Sequence, residues 1–410
     1  MKKTFKYILT LSLLIISIIS LVGCKEKVEP ELSYDKQEMV LVGVDKEVTI
    51  TLTVKPDDAN YTINIDKENV ATAIKDGKNI KITGVSPGRA LMVVTHENKD
   101  ISPLFISLGV IAPDIDLTVN KKTIKLPNGE TYAYLEENPE ASKTVLLLHG
   151  NISSSVFWLR AIKELKDDYH ILAPDFRGFG DSSYKTRITS FTDLVNDIVS
   201  FLELKGVSSA YVIGWSMGGA VAMKLAATHP TLVEKLVLVA STTHKGYPTL
   251  SVNAMTGEKT PFASAEDMAN DVAIGAGLQI FLTDDRKTMK DSLKETAYNV
   301  FPDNELELYV TEALKQRNLL DANWALATFN MSNTPNAYTE GTNTIKDITC
   351  PVLHLWGKKD DILSPKYMTD DNYLALQNVS ERIDYDDCGH LIVFDKTKQA
   401  INDIKTFLNK

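Results

Sequence analysis

From residue 32 to about residue 112, hydrophobic and polar positions alternate in short runs, as in Val48-Thr49-Ile50-Thr51-Leu52-Thr53-Val54 and Ala90-Leu91-Met92-Val93-Val94-Thr95. A period of two turns one face of each run inward, the mark of half-buried strands. Turn residues break the runs at Pro56-Asp57-Asp58, Asp76-Gly77 and Ser86-Pro87-Gly88. Strands of this length and spacing predict a small all-β sandwich. Residues 114–118 read as a linker, and beyond them the pattern changes. Residues 122–126 and 131–135 flank Asn128-Gly129, a strong hairpin signal. Continuous apolar runs follow at 145–148, 169–173, 210–213, 236–240 and 352–356. Strands that are apolar on both faces belong to a parallel sheet covered by helices on each side. Residues 190–205 supply one such helix, opened by a capping box at Ser190 and Asp193 and stopped at Gly206.

Between about 242 and 349 the alternation is interrupted by a stretch of mostly helical character, too long to be a loop. Leu306, Tyr309, Val310, Ala313 and Leu314 fall on one helical face there. Inserted after the strand at 236–240, this block is expected over the carboxyl edge of the sheet, where open α/β folds bind ligands. It reads as a cap. The expected fold is therefore α/β, a mostly parallel doubly wound sheet with a helical cap, preceded by a small all-β sandwich.

A chain of 410 residues exceeds one typical core, and the boundaries fall at 1–24, 31–112 and 117–410. A net charge of −10 without a long basic run argues against nucleic acid as a partner. The chain opens with Lys2, Lys3 and Lys6, continues through an apolar and serine stretch from 7 to 22, and reaches Gly23-Cys24, the form of a secretory signal. Leu21-Val22-Gly23-Cys24 resembles the lipobox of bacterial lipoproteins, which implies an acylated Cys24 and a protein lipid-anchored to the bacterial cell membrane, facing outside the cytoplasm. The rival reading is an uncleaved membrane span, for which this stretch is short against the roughly twenty residues a span needs. Cys350 opens one predicted strand and Cys388 follows the next, so a parallel sheet separates them by roughly 15 to 20 Å. They are expected as two buried free thiols.

Chemistry enters at Gly214-Trp215-Ser216-Met217-Gly218-Gly219, between an apolar strand run and a helix-forming stretch. This is the layout of a nucleophile elbow: a serine can be presented at a strand-to-helix corner only if small neighbours let the backbone turn sharply. The following helix aims free N–H groups at any oxygen that gains charge when Ser216 attacks a carbonyl. A serine hydroxyl needs a base, and the base needs a group that fixes its tautomer. Asp360, or its neighbour Asp361, follows the strand at 352–356, and His390 lies in a glycine turn after the last predicted strand. Among the other histidines, His354 lies in an apolar strand and reads as core, His149 as structural, and only His244, at the cap junction, is placed to reach the site. Trp158 and Trp215 read as packing residues near that edge, with lining of an acyl pocket as the alternative for either. Asp175, Asp181, Asp386 and Asp387 read as turn or capping residues.

Residues 49–56, Asn69-Val70-Ala71-Thr72-Ala73 and the segment Ile82 to Ala90 resemble the bacterial Ig-like domain of group 2, which implies a surface spacer that contacts a cell-surface polymer or protein. The order Ser216, Asp360, His390, with His149-Gly150, the loop Asp175 to Ser182 and the turn Gly357-Lys358-Lys359-Asp360, resembles the α/β-hydrolase family over nearly all of residues 120–410. The resemblance implies Ser216 as nucleophile, His390 as general base and acid, and Asp360 as the carboxylate that orients it. It further implies an oxyanion hole from the N–H groups of Met217 and Asn151, with Ile152 as the alternative to Asn151, and neither metal nor organic cofactor. His149-Gly150-Asn151 with Ser153-Ser154-Ser155 and Trp158 also resembles haloalkane dehalogenases, whose nucleophile is an aspartate where this chain has Ser216. The expected function is cleavage of a small-molecule or lipid carboxylic ester through an acyl-Ser216 intermediate, with a thioester or amide as the alternative substrate. Rivals on the same fold are C–C bond hydrolysis, cofactor-free peroxidation and peptide release; the rival from another class is a catalytically silent adhesion protein.

Overall fold

The computed structural model describes residues 28–34, 36, 38–247, 249–253, 255–363 and 369–410. The expected signal segment and Cys24 lie outside them. Among the described residues, no helix is long and apolar enough to cross a membrane. The chain forms two compact units, one reaching to Val85 and including Ala90–Leu108, the other made of Ser86–Arg89 and Gly109–Lys410.

The first unit is an all-β, Ig-like sandwich. One sheet orders Val40–Gly43, Leu104–Ile111, Gly88–His96 and Tyr61–Ile65, and another orders Glu47–Thr51, Asn79–Gly84 and Ala71–Asp76. Gly88–His96 buries every second residue along most of its length, so its pattern of two survives in the fold. The run at 48–54 is not one strand. Glu47–Thr51 pairs with Asn79–Gly84, whereas Thr53–Lys55 pairs with Glu31–Ser33, and the chain changes partner at the buried Leu52. Alternation alone shows which face is buried and does not show which strand lies alongside.

In the second unit, eight strands make one sheet in the order Lys122–Lys125, Thr131–Glu137, His170–Pro174, Thr144–Leu148, Ala210–Trp215, Val233–Val239, Val352–Gly357 and Ser380–Tyr385. The first three are joined antiparallel and all later neighbours are parallel. The first two form the hairpin signalled by Asn128-Gly129, with Gly129 at φ 91°. Pleating sends alternate residues of the central strands to opposite sides. Val145, Leu147 and Ile213 join a core with Ile162 of Leu159–Leu165 and Ile404 of Thr397–Leu408. Leu146, Leu148 and Val212 join another with Ile198 of Phe191–Leu204 and Met223 of Met217–Thr228. Ser190 and Asp193 close the capping box of Phe191–Leu204 as expected.

After Val233–Val239 the chain leaves the sheet for a helical cap built from Ala265–Ala269, Val272–Leu282, Arg286–Thr296, Asp303–Leu314 and Leu319–Thr328. Leu306, Tyr309, Val310 and Ala313 pack into the first core, with Leu314 partly buried against it.

Candidate active site

Thr144–Leu148 lies between His170–Pro174 and Ala210–Trp215, so the chain winds away from it in both directions. The connections leaving its carboxyl end and that of Ala210–Trp215 diverge and open a crevice. Ser216 stands at this point with φ 55° and ψ −120°, a left-handed backbone that a side chain rarely tolerates. The turn is held by Ser216 N–H donating to Val239 C=O at 3.1 Å and by the Ser216 carbonyl accepting from Gly219 at 3.0 Å and Thr242 at 3.1 Å. A Cβ on Gly214 would meet the Gly218 carbonyl oxygen, and one on Gly218 would strike that of Leu148. The glycines of the motif are therefore required by close backbone approach.

His390 and Asp360 meet. His390 Nδ1 lies 2.8 Å from Asp360 Oδ2, and both side chains are buried. Asp360 Oδ1 accepts the N–H groups of Ile362 and Leu363, each at 2.9 Å, which fixes the carboxylate from behind. Asp361 is exposed, so the open choice between the two aspartates falls to Asp360 on geometry. Trp215 donates Nε1–H to the His390 carbonyl at 3.0 Å and thereby joins the strand carrying the elbow to the histidine turn. Asp395, which sequence reasoning missed, accepts N–H from Gly389 at 2.7 Å, Tyr298 at 2.9 Å and Asn299 at 2.8 Å. Burial raises its pKa against the pull of those donors.

Ser216 and His390 line the same cavity of about 360 Å³. Among the described residues no hydrogen bond joins the Ser216 hydroxyl to the imidazole; contacts of this kind often tighten only when a ligand binds. Ile152, Trp215, Leu293, Leu326, Ile362 and Leu363 supply apolar wall, and Asn151 and Asn323 polar wall. No lysine, arginine, aspartate or glutamate lines it among the described residues. Leu293, Asn323 and Leu326 belong to the cap helices, and no motif marked them in the sequence.

The loop after Thr144–Leu148 holds Asn151 and Ile152, the two alternatives expected for one oxyanion donor, and Met217 opens the helix after Ser216. Ile152 has φ 52° and its N–H is taken by Gln316 Oε1 at 2.9 Å, whereas the N–H groups of Asn151 and Met217 have no partner among the described residues. His149 is structural: its Nδ1 lies 2.8 Å from the Gly150 carbonyl, its Nε2 accepts Phe176 N–H at 3.0 Å, and burial lowers its pKa to about 4. His354 is buried against Ser380 Oγ at 3.1 Å. His244 does not line the cavity, because Asn372 Oδ1 holds both its backbone N–H at 2.7 Å and its ring at 3.1 Å. Trp158 is buried away from the cavity, while Trp215 borders it.

Asp175 is more than a turn residue. Fully buried, it accepts Ser155 N–H at 2.8 Å and Asp181 N–H at 2.9 Å, and pairs with Lys121 at 2.8 Å. Lys121 also reaches Asp181 at 2.9 Å and Glu312 of the cap at 2.6 Å. The three carboxylates are spaced closely enough to hold a metal ion, but the Lys121 ammonium already supplies their cation. Burial favours its neutral form, yet Asp175 and Glu312 outweigh this and keep its pKa above the ordinary value. Cys350 and Cys388 are both free. Cys388 is buried as expected, but Cys350 only partly, and burial raises the Cys350 thiol to about 11.

Residues 143–397 match the sequence profile described as alpha/beta hydrolase fold. A haloalkane dehalogenase from Bradyrhizobium diazoefficiens is 36% identical over 111 residues, which span 27% of this chain and only 36% of that enzyme. Lipase 3 from Moraxella sp. is 25% identical over 293 residues, 70% of this chain and 84% of the lipase. Of solved structures, an esterase from Exiguobacterium antarcticum aligns over 71% of this chain and 100% of its own, with TM-score 0.55 and 16% identity, a likeness of fold alone.

Proposed function

The chain belongs to the α/β-hydrolase family, and from that premise we propose that it is a serine hydrolase that cleaves carboxylic esters through an acyl-enzyme on Ser216. The observation that carries this reading is the buried His390–Asp360 bond at the edge of the cavity that Ser216 borders. With Nδ1–H given to Asp360, the imidazole keeps a lone pair on Nε2 for the serine proton. Ser216 Oγ attacks the ester carbonyl carbon and its proton passes to His390 Nε2. The N–H groups of Met217 and Asn151 receive the oxyanion. His390 then returns the proton to the leaving alkoxide as the C–O bond breaks. Water, deprotonated by the same imidazole, resolves the acyl-serine to free acid.

Lipase 3, aligned over most of its length, supports an ester substrate. The dehalogenase does not carry over, since displacement of a halide needs an attacking carboxylate and the elbow here holds Ser216. Among the described residues the lining carries no lysine, arginine, aspartate or glutamate, which supports neutral esters as substrates, because a charged acyl group desolvated against those walls would lack a counter-ion. We further read the enzyme as tethered outside the cytoplasm through acylated Cys24, with the all-β unit as a group 2 Ig-like module in contact with the cell surface. Replacement Ser216→Ala is expected to abolish both turnover of p-nitrophenyl esters and labelling by a fluorophosphonate probe. Labelling that survives the substitution refutes the assignment.

A further inference from the structure

Gln316 follows the cap helix Asp303–Leu314, is 4% exposed and does not line the cavity. Both heteroatoms of its amide group are nonetheless committed beside the catalytic crevice, in three hydrogen bonds. Oε1 accepts Ile152 N–H at 2.9 Å, and Nε2 donates to Asn151 Oδ1 at 2.8 Å and to Asn318 Oδ1 at 3.0 Å. Asn318 is in turn anchored by donating to the Arg177 carbonyl at 2.8 Å. Asn151 Nδ2 donates to Asn323 Oδ1 at 3.0 Å, so a second cap residue grips the same side chain. The amide of Gln316 can face only one way, because reversing it would set a donor against Ile152 N–H and an acceptor against two acceptors.

We infer that Gln316 is a positioning residue for the oxyanion hole, a proposal that rests on the acyl-transfer function above. Asn151 and Ile152 present consecutive N–H groups in an irregular loop, and Ile152, β-branched, sits at φ 52° where such residues are strained. Left alone, the loop relaxes toward ordinary backbone angles and turns both peptides. Gln316 removes the Ile152 N–H from competition, holds the strained angle and pins the Asn151 side chain. The Asn151 N–H is thereby left for substrate oxygen. Oxyanion donors act only when fixed close to where the charge develops, so a loop released from this clamp loses transition-state binding before it loses substrate binding.

The test uses the full chain and two variants. Gln316→Met removes donor and acceptor at similar size; Gln316→Glu keeps an acceptor for Ile152 N–H but sets a carboxylate against Asn151 Oδ1. Both are assayed on p-nitrophenyl butyrate with the parent alongside. Removing one oxyanion donor costs roughly 10²–10³ in kcat, so displacing one is expected to lower kcat about ten- to a hundredfold in Gln316→Met while KM stays within about twofold. Affinity for a trifluoromethyl ketone transition-state analogue is expected to fall by the same factor as kcat/KM. Gln316→Glu is expected to retain more activity than Gln316→Met. Parental kcat per folded molecule in both variants, whatever their melting temperatures, overturns the positioning role. Absence of turnover in the parent overturns the acyl-transfer reading instead.

Discussion

His354 and His390 are buried almost equally, at 2% and 4% exposure, yet their surroundings give them different parts. His390 has a carboxylate at 2.8 Å, whereas His354 has the neutral Ser380 hydroxyl, and burial lowers the His354 pKa to about 3, with Arg382 adding to the effect. A histidine whose folded pKa lies below its unfolded value of about 6.5 takes up its proton first in the unfolded chain. The stability tied to the neutral ring is whole above pH 6.5 and falls as pH drops toward 3. His149, lowered to about 4, acts in the same direction. The melting temperature is therefore expected to fall between pH 7 and pH 4, and His354→Leu to flatten that limb by about 3 kcal/mol at pH 4. An unchanged slope in the variant, measured by thermal melts across this range, refutes the account. The sequence placed His354 in the core by its apolar neighbours. It did not show that Asn372 would occupy His244, a contact spanning 128 residues.

At the scale of elements, cap and sheet are joined by buried ions. Lys121 stands between Asp175, in the loop after His170–Pro174, and Glu312 of Asp303–Leu314, while Glu312 also accepts Ser154 Oγ–H at 2.7 Å. Arg160 and Glu305 make a second buried pair between Leu159–Leu165 and the same cap helix. Removing one partner from such a pair leaves a charge stranded in low dielectric and costs about 3–5 kcal/mol. Lys121→Met is expected to lower unfolding stability by that amount, read from urea midpoints. A change below about 1 kcal/mol would mean that water already screens the cluster. Asp175 and Asp181 read as turn or capping residues in the sequence, and no motif marked Lys121 or Glu312. Their pairing spans up to 191 residues, and periodicity carries no information at that range.

Across the whole molecule, the apolar runs identified the sheet and the interruption identified the cap, because burial on two faces leaves a continuous hydrophobic signature. The proposed tether belongs to this scale too. Cys24→Ser is expected to move the protein from the detergent phase to the aqueous phase in a phase-partition assay, with kcat on p-nitrophenyl butyrate unchanged. Retention in the detergent phase would assign membrane attachment to the apolar stretch at 7–22 itself.

The elbow around Ser216, the turn bearing Asp360 and the glycine turn before His390 are local, and each is written within a few consecutive residues whose chemistry and backbone needs are legible one by one. The side-by-side order of the strands, the exchange of partners at Leu52, and the grip of Gln316 and Asp395 on the site belong to the tertiary structure. Those contacts join groups far apart along the chain, and only packing decides which distant polar group is left to satisfy a buried N–H.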